Sequence, residues 1–225
     1  MLAVISTTTL ARTYKQPVAW AILCVDVFPV WAVFMLGWGV EPLVFLYWLE
    51  NLIIGLVTLI RLGITGYDKR PSGLVLAGFL GTFFTIHYGL FCYVHGVFIY
   101  VFASMHSGAD LAFLNPIQLV HHAMTRGSYM ATFVITILGL QGLLLLRDYL
   151  LTGAYRQLDI KAEMAAPYSR IVVLHIALFA GAAALIAFDA PLVGILGLVF
   201  IRIFWGVALT VRRQLEFDAA AHIKS

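Results

Sequence analysis

The chain has 225 residues, of which 62% are hydrophobic and 11% charged, and its mean hydropathy is +0.97. A soluble domain carries roughly a quarter charged and about half apolar residues. A water-soluble globule, a disordered chain and a secreted disulfide scaffold are all excluded on that ground. The net charge of +3 comes without a basic patch interleaved with aromatics, so no nucleic-acid partner is expected. The expected partner is the lipid bilayer.

Crossing the hydrocarbon core takes about 20 apolar residues at 1.5 Å each. Six stretches qualify, at approximately 18–38, 41–61, 74–101, 129–147, 171–188 and 191–211. The expected fold is therefore all-α: a single transmembrane domain, 1–225, built as a bundle of six spanning helices. Arg12 and Lys15 precede the first span as in a signal peptide, but the apolar run is long and no small-residue cleavage site follows, so a signal anchor is expected. Cys24 and Cys92 both lie inside apolar runs and read as small buried hydrophobes.

Lysine and arginine set the orientation. Arg12, Lys15, Arg61, Lys69, Arg70, Arg147, Arg156, Lys161, Arg170, Arg212, Arg213 and Lys224 fall on the side that holds the N-terminus. Only Arg126 falls opposite, and Arg202 lies within the sixth span. Both termini are thus expected in the cytoplasm of a cell with its protein in the cytoplasmic membrane. Tight turns are expected at 37–41 and 188–191 on the outer side. The inner loops, 62–73 and 148–170, read as solvated surface. Between the third and fourth spans, Asn115-Pro116 marks a helix start, an N-cap followed by proline at the first helical position. Ile117, Val120 and Met124 then share one face, with Gln118, His121, His122 and Thr125 on the other. This predicts a short amphipathic helix on the outer interface, or a lid dipping into it.

Ionisable groups within spans are costly and call for partners. Counted from the outer helix ends, Glu50 lies about 13 Å deep, Arg202 about 16 Å and Asp26 about 18 Å. His95 and His87 lie about 8 and 20 Å down the third span. Tyr47, Glu50, Asn51, Ile54 and Thr58 follow helical spacing and give a mostly polar stripe. In the third span Gly81, Thr85, Tyr88, Gly89, Cys92, His95 and Gly96 share a face whose small residues should pack on another helix. A structural ion pair joining Arg202 to Asp26 or Glu50 is expected, with Asn51 as a further structural polar group.

His87 and His95 are about 12 Å apart along the axis, too far to share one ion. The compact candidate for a metal site is Glu50 and His95 with His121 and His122 brought from the outer segment, and His106 in reach. A carboxylate with imidazoles suits zinc, iron or manganese. Glu50 and His87 are the candidate catalytic pair, as general base or ligand and as proton carrier, since desolvation favours the neutral form of a carboxylic acid. His175 reads as a snorkelling residue and His222 as part of a tail. There is no G-x-S-x-G elbow, H-E-x-x-H, Walker loop or Rossmann fingerprint.

The run Tyr47-Trp48-Leu49-Glu50-Asn51-Leu52-Ile53-Ile54-Gly55, followed by Phe83-Phe84-Thr85-Ile86-His87-Tyr88-Gly89-Leu90-Phe91 and His95-Gly96-Val97-Phe98, resembles the bacterial multi-pass membrane proteins of domain of unknown function 6498. The resemblance implies an integral membrane bundle and brings no activity. The leading expectation is a membrane-embedded metalloprotein with its Glu/His site opening outward, in one form an enzyme acting on a lipid or other apolar substrate; the alternatives are a proton- or ion-coupled carrier using Asp26, Glu50, His87 and Arg202, and a structural subunit. A homo-oligomer or a membrane partner subunit is compatible with each.

Overall fold

The computed structural model describes residues 7–104, 115–168, 171–172, 197, 199–200, 203–204, 206–211 and 215, and every regular element among them is helical. Helix α1 is Thr7–Thr13 and α2 is Pro17–Leu36. Pro17 suits the first turn, where a missing N–H costs nothing. Gly37 ends α2 with φ 65°, its N–H donating to the Ala32 carbonyl, a left-handed cap that glycine adopts without strain. Helix α3 is Val40–Asp68, α4 is Ser72–Ser104, α5 is Pro116–Thr125 and α6 is Met130–Leu144. Helix α6 runs on as a π-helix, Leu145–Leu151, followed by a 3-10 turn, Ala154–Arg156, and by α7, residues 160–168.

The chain divides into two compact units. One holds α1, α2 and the described residues from 197 onward, which are helical; in it Asp26 of α2 is buried with Gly206 directly against its carboxylate. The other begins at Trp38 and holds α3 to α7.

Among the described residues four helices are long and apolar enough to cross a membrane: Pro17–Leu36, Val40–Asp68, Ser72–Val101 and Met130–Leu151. They coincide with the first four expected spans. Most of the expected fifth and sixth spans, and Arg202, lie outside the described residues. Phe79, Ile86 and Leu151 are 71%, 66% and 75% exposed. Apolar surface on this scale is stable against lipid and would associate in water.

Helix α3 is the central element of its unit. Over its most apolar 18 residues, 56% of α3 is buried, against 11–22% in the other three candidate spans. It packs most extensively on α4 and also touches α5, α6 and the 3-10 turn. Trp48 Nε1 donates to the Cys92 carbonyl at 2.7 Å and the Tyr88 hydroxyl donates to the Asn51 carbonyl at 3.0 Å. A Cβ on Gly55 would lie 2.7 Å from the Tyr88 ring, so the backbones approach through glycine, as small residues allow between spanning helices.

Three expectations need correction. Tyr88, Cys92 and Gly96 of α4 are buried as expected, but Thr85 and Gly89 are exposed, and Ala77 and Phe84 take the inner positions. The buried row steps by four residues, Phe84–Tyr88–Cys92–Gly96, which is the i±4 ridge that meets a neighbouring helix. A straight wheel face at 100° per residue misses that drift.

The two segments expected as solvated inner loops are solvated only in part. Helix α3 continues past Arg61 to Asp68, leaving only Lys69, Arg70 and Pro71 as the turn into α4. Leu62 and Ala77 form a buried cluster with Ile160 of α7, and Ile171 joins Phe84, Tyr88 and Cys92. The described part of this segment, 148–168, thus folds back on the α3–α4 pair, because its apolar residues find this unfilled face.

Helix α5 starts where expected. The Asn115 side chain accepts from Ile117 N at 2.8 Å and Gln118 returns to Asn115 N at 3.4 Å, a reciprocal capping box. Its buried face differs, however: Ile117 is 77% exposed, while Leu119 and Ala123 are fully enclosed. Gly96 is the reason, since a Cβ there would fall 2.6 Å from Trp48. The missing side chain lets Leu119 of α5 and Trp48 of α3 both close on the α4 backbone.

Candidate functional site

The polar stripe on α3 extends further than the five residues that announce it. Tyr47, Glu50, Thr58 and Thr65 are all buried, and Arg61 continues the same i, i+3/i+4 series between the last two. From Tyr47 to Thr65 the helix rises about 27 Å, close to the roughly 30 Å hydrocarbon thickness. The stretch between Glu50 and Thr58 is bridged by backbone and hydroxyls. Tyr88 donates to the Asn51 carbonyl, and Thr58 Oγ1 donates to the Ile54 carbonyl at 2.8 Å.

At its far end the stripe meets a second polar group. Arg61 Nη2 donates to Glu163 Oε1 at 2.9 Å and Nε stands 2.7 Å from Oε2. The Arg61 guanidinium also lies 4.5 Å above the Tyr149 ring. The Tyr149 hydroxyl donates to the Arg61 carbonyl at 2.9 Å, so in its contact with Thr65 the threonine hydroxyl is the donor. Tyr149 comes from the π-helix, a rare geometry that recurs at functional sites; it points inward while Leu146, Leu150 and Leu151 face out. The Glu163 side chain is 5% exposed and that of Arg61 35%. Burial pushes the Glu163 carboxyl above its ordinary value, and the attraction and hydrogen bond of Arg61 only partly oppose it.

The histidines are placed differently from one another. His87 is exposed, stacked on Phe83 at 5.3 Å, with Nδ1 2.9 Å from the Tyr168 hydroxyl of α7. Its polar partner is thus Tyr168 rather than Glu50. His95 is half-buried and stacked on Phe91 at 4.9 Å. His121 is exposed, whereas His122 is half-buried edge-on between Phe45 and Tyr100. Its Nδ1 faces the Arg126 guanidinium at 3.2 Å, so Nδ1 accepts. Burial, then Arg126 and His121, lowers its affinity for a proton. Arg126 also reaches Glu41 at the start of α3, 3.3 Å away.

Among the described residues no three His, Cys, Asp or Glu side chains gather as a metal ion requires. Glu50, His95, His121 and His122 are therefore not drawn into one ligand set, because α5 turns Leu119 and Ala123 inward and leaves His121 in the open. The residues that sequence reasoning missed are Arg61, Thr65, Tyr149 and Glu163. Arg61 and Thr65 carry a readable signal, the continuation of the stripe's own period. Tyr149 and Glu163 carry none, since only the fold brings them to α3.

The family described as a family of unknown function, DUF6498, matches residues 8–222. No curated protein and no solved structure matches the chain.

Proposed function

Because the chain belongs to the DUF6498 family, which carries no assigned activity, its function has to be argued from geometry, and we propose that it is a membrane carrier coupled to a proton or small cation. The observation that carries this reading is the buried polar stripe of α3. Polar groups at membrane depth face the bundle interior or a water path and mark routes for ions and protons. In this reading Glu50 is the group that takes up and releases the proton. Asn51, Thr58 and the carbonyls they neighbour form the middle of the route, and Arg61 with Glu163 closes its far end.

Reconstitution into liposomes tests it. Wild-type protein should pass protons down an imposed gradient, and Glu50→Gln should not, because an amide binds no proton at these pH values. Wild-type vesicles no leakier than empty ones, across a panel of candidate co-substrates, would leave the stripe as a device for fixing helix register.

A further inference from the structure

An open groove of about 540 Å³ lies between the last third of α3 and the π-helix with its 3-10 turn. Its two walls repeat one chemical order. Along α3 the lining runs from Leu59, Ile60 and Ile64 through Tyr67 to Arg70; on the facing wall it runs from Leu150 to Tyr155, with Arg156 next in the chain. Each tyrosine ring holds a guanidinium over its face, Arg70 at 4.2 Å from Tyr67 and Arg156 at 5.5 Å from Tyr155. Among the described residues no acid lies within ion-pair distance of either arginine. Asp68 and Arg70 in the lining offset one another, so the net positive charge at this end is that of Arg156, one residue beyond the lining.

Depth agrees with this order. Val40–Asp68 rises about 42 Å against a hydrocarbon core of roughly 30 Å, so Tyr67 and Arg70, at and just past its end, stand at headgroup level. Tyrosine and arginine at that level, above an apolar slot, match an amphiphile with an acidic head.

We propose that this groove binds one anionic glycerophospholipid, an acyl chain lying against Leu59, Ile60, Ile64 and Leu150 and its phosphate between Arg70 and Arg156. The site is separate from the α3 stripe and stands whether or not the chain carries protons.

Native mass spectrometry of detergent-purified protein, titrated with phosphatidylglycerol or phosphatidylcholine, tests the assignment. The wild type should retain one phosphatidylglycerol in preference to phosphatidylcholine. A juxtamembrane cation contributes roughly a fivefold gain in anionic-lipid affinity, so Arg70→Gln with Arg156→Gln should lower it by about twenty-five-fold. Arg12→Gln with Lys15→Gln removes the same charge elsewhere and should leave it unchanged. Gly63 lines the groove and a Cβ there meets nothing within 4 Å. Gly63→Phe should therefore fill the slot in a folded protein and expel the lipid with every charge in place. Retention unchanged in both the arginine and the Gly63 variants overturns the proposal. So does equal loss in the Arg12/Lys15 control, or displacement of the lipid by millimolar inorganic phosphate, which would make the groove a free-phosphate site.

Discussion

Arg61 and Glu163, 102 residues apart, meet in a two-point ion pair at 2.9 and 2.7 Å that ties α7 to the lower part of α3. The pair is asymmetric, the acid enclosed and the arginine about a third exposed. Removing the arginine strands a buried carboxylate, which is the costly way to break such a pair. Arg61→Met should lower stability by about 1–3 kcal/mol, the range discounted because the guanidinium is partly solvated. Glu163→Gln keeps an acceptor for Nη2 and should cost less than about 1 kcal/mol. Thermal melting in detergent checks the order, and equal losses would contradict it.

The same pair has a pH signature. Glu163 holds its proton more tightly in the folded protein than its ordinary value of 4.5. Its contribution is then fully present below that value and is lost as pH rises through the folded one. Hydrogen exchange at the amides of α7 should quicken as pH climbs from about 4.5 beyond what intrinsic exchange explains, and Glu163→Gln should remove the excess.

His122 has the opposite sign. Its proton affinity is lowered from 6.5 by burial, Arg126 and His121. The stability it gives α5 is present above 6.5 and is lost as pH falls through the folded value. Protection of the Leu119 and Ala123 amides should fall on acidification, and His122→Phe should keep them protected. Unchanged protection at pH 5 in the wild type would count against the packing between Phe45 and Tyr100.

Two glycines one turn apart on α3 separate close packing from open space. At Gly66 an added Cβ would collide with Ala77 and lie 3.0 Å from the Gly73 carbonyl oxygen, whereas at Gly63 it meets nothing. Gly66→Ala should destabilise by about 1–3 kcal/mol through overpacking. Gly63→Ala should be neutral or stabilise by up to about 1 kcal/mol through helix propensity. Melting temperatures of the two variants decide it.

Removing one hydroxyl tests the π-helix. Tyr149→Phe takes the donor from the Arg61 carbonyl and the acceptor from Thr65. Unsatisfied buried groups of this kind cost about 1–3 kcal/mol. A variant as stable as the wild type would mean that water serves these groups.

What could be read from the sequence follows from the range of each signal. Apolar length marks the four helices that, among the described residues, are able to span a membrane, and Asn115-Pro116 marks the start of α5, because both are local. Whether a polar segment is solvated is not local. Segment 148–170 reads as loop from its charges, yet Ile160 and Glu163 are buried since their partners, Leu62 and Arg61, lie about a hundred residues away. The face of α5 was hidden for a similar reason: Leu119 turns inward on account of Gly96, in another helix. The stripe was half legible. Its period runs on through Arg61 and Thr65, but these lie at and beyond the boundary that hydropathy gives the second span.

The central proposal is that the chain carries protons by way of Glu50 on α3. Proton entry into liposomes under a potassium diffusion potential, followed with an enclosed pH dye, tests it most directly. Glu50→Gln and Thr58→Val would be compared with Thr85→Val, an exposed threonine on α4. The account predicts flux in the wild type and in Thr85→Val, with both α3 variants falling to the leak of empty vesicles. Flux that survives Glu50→Gln, or wild-type vesicles as tight as empty ones with every candidate co-substrate supplied, would contradict it.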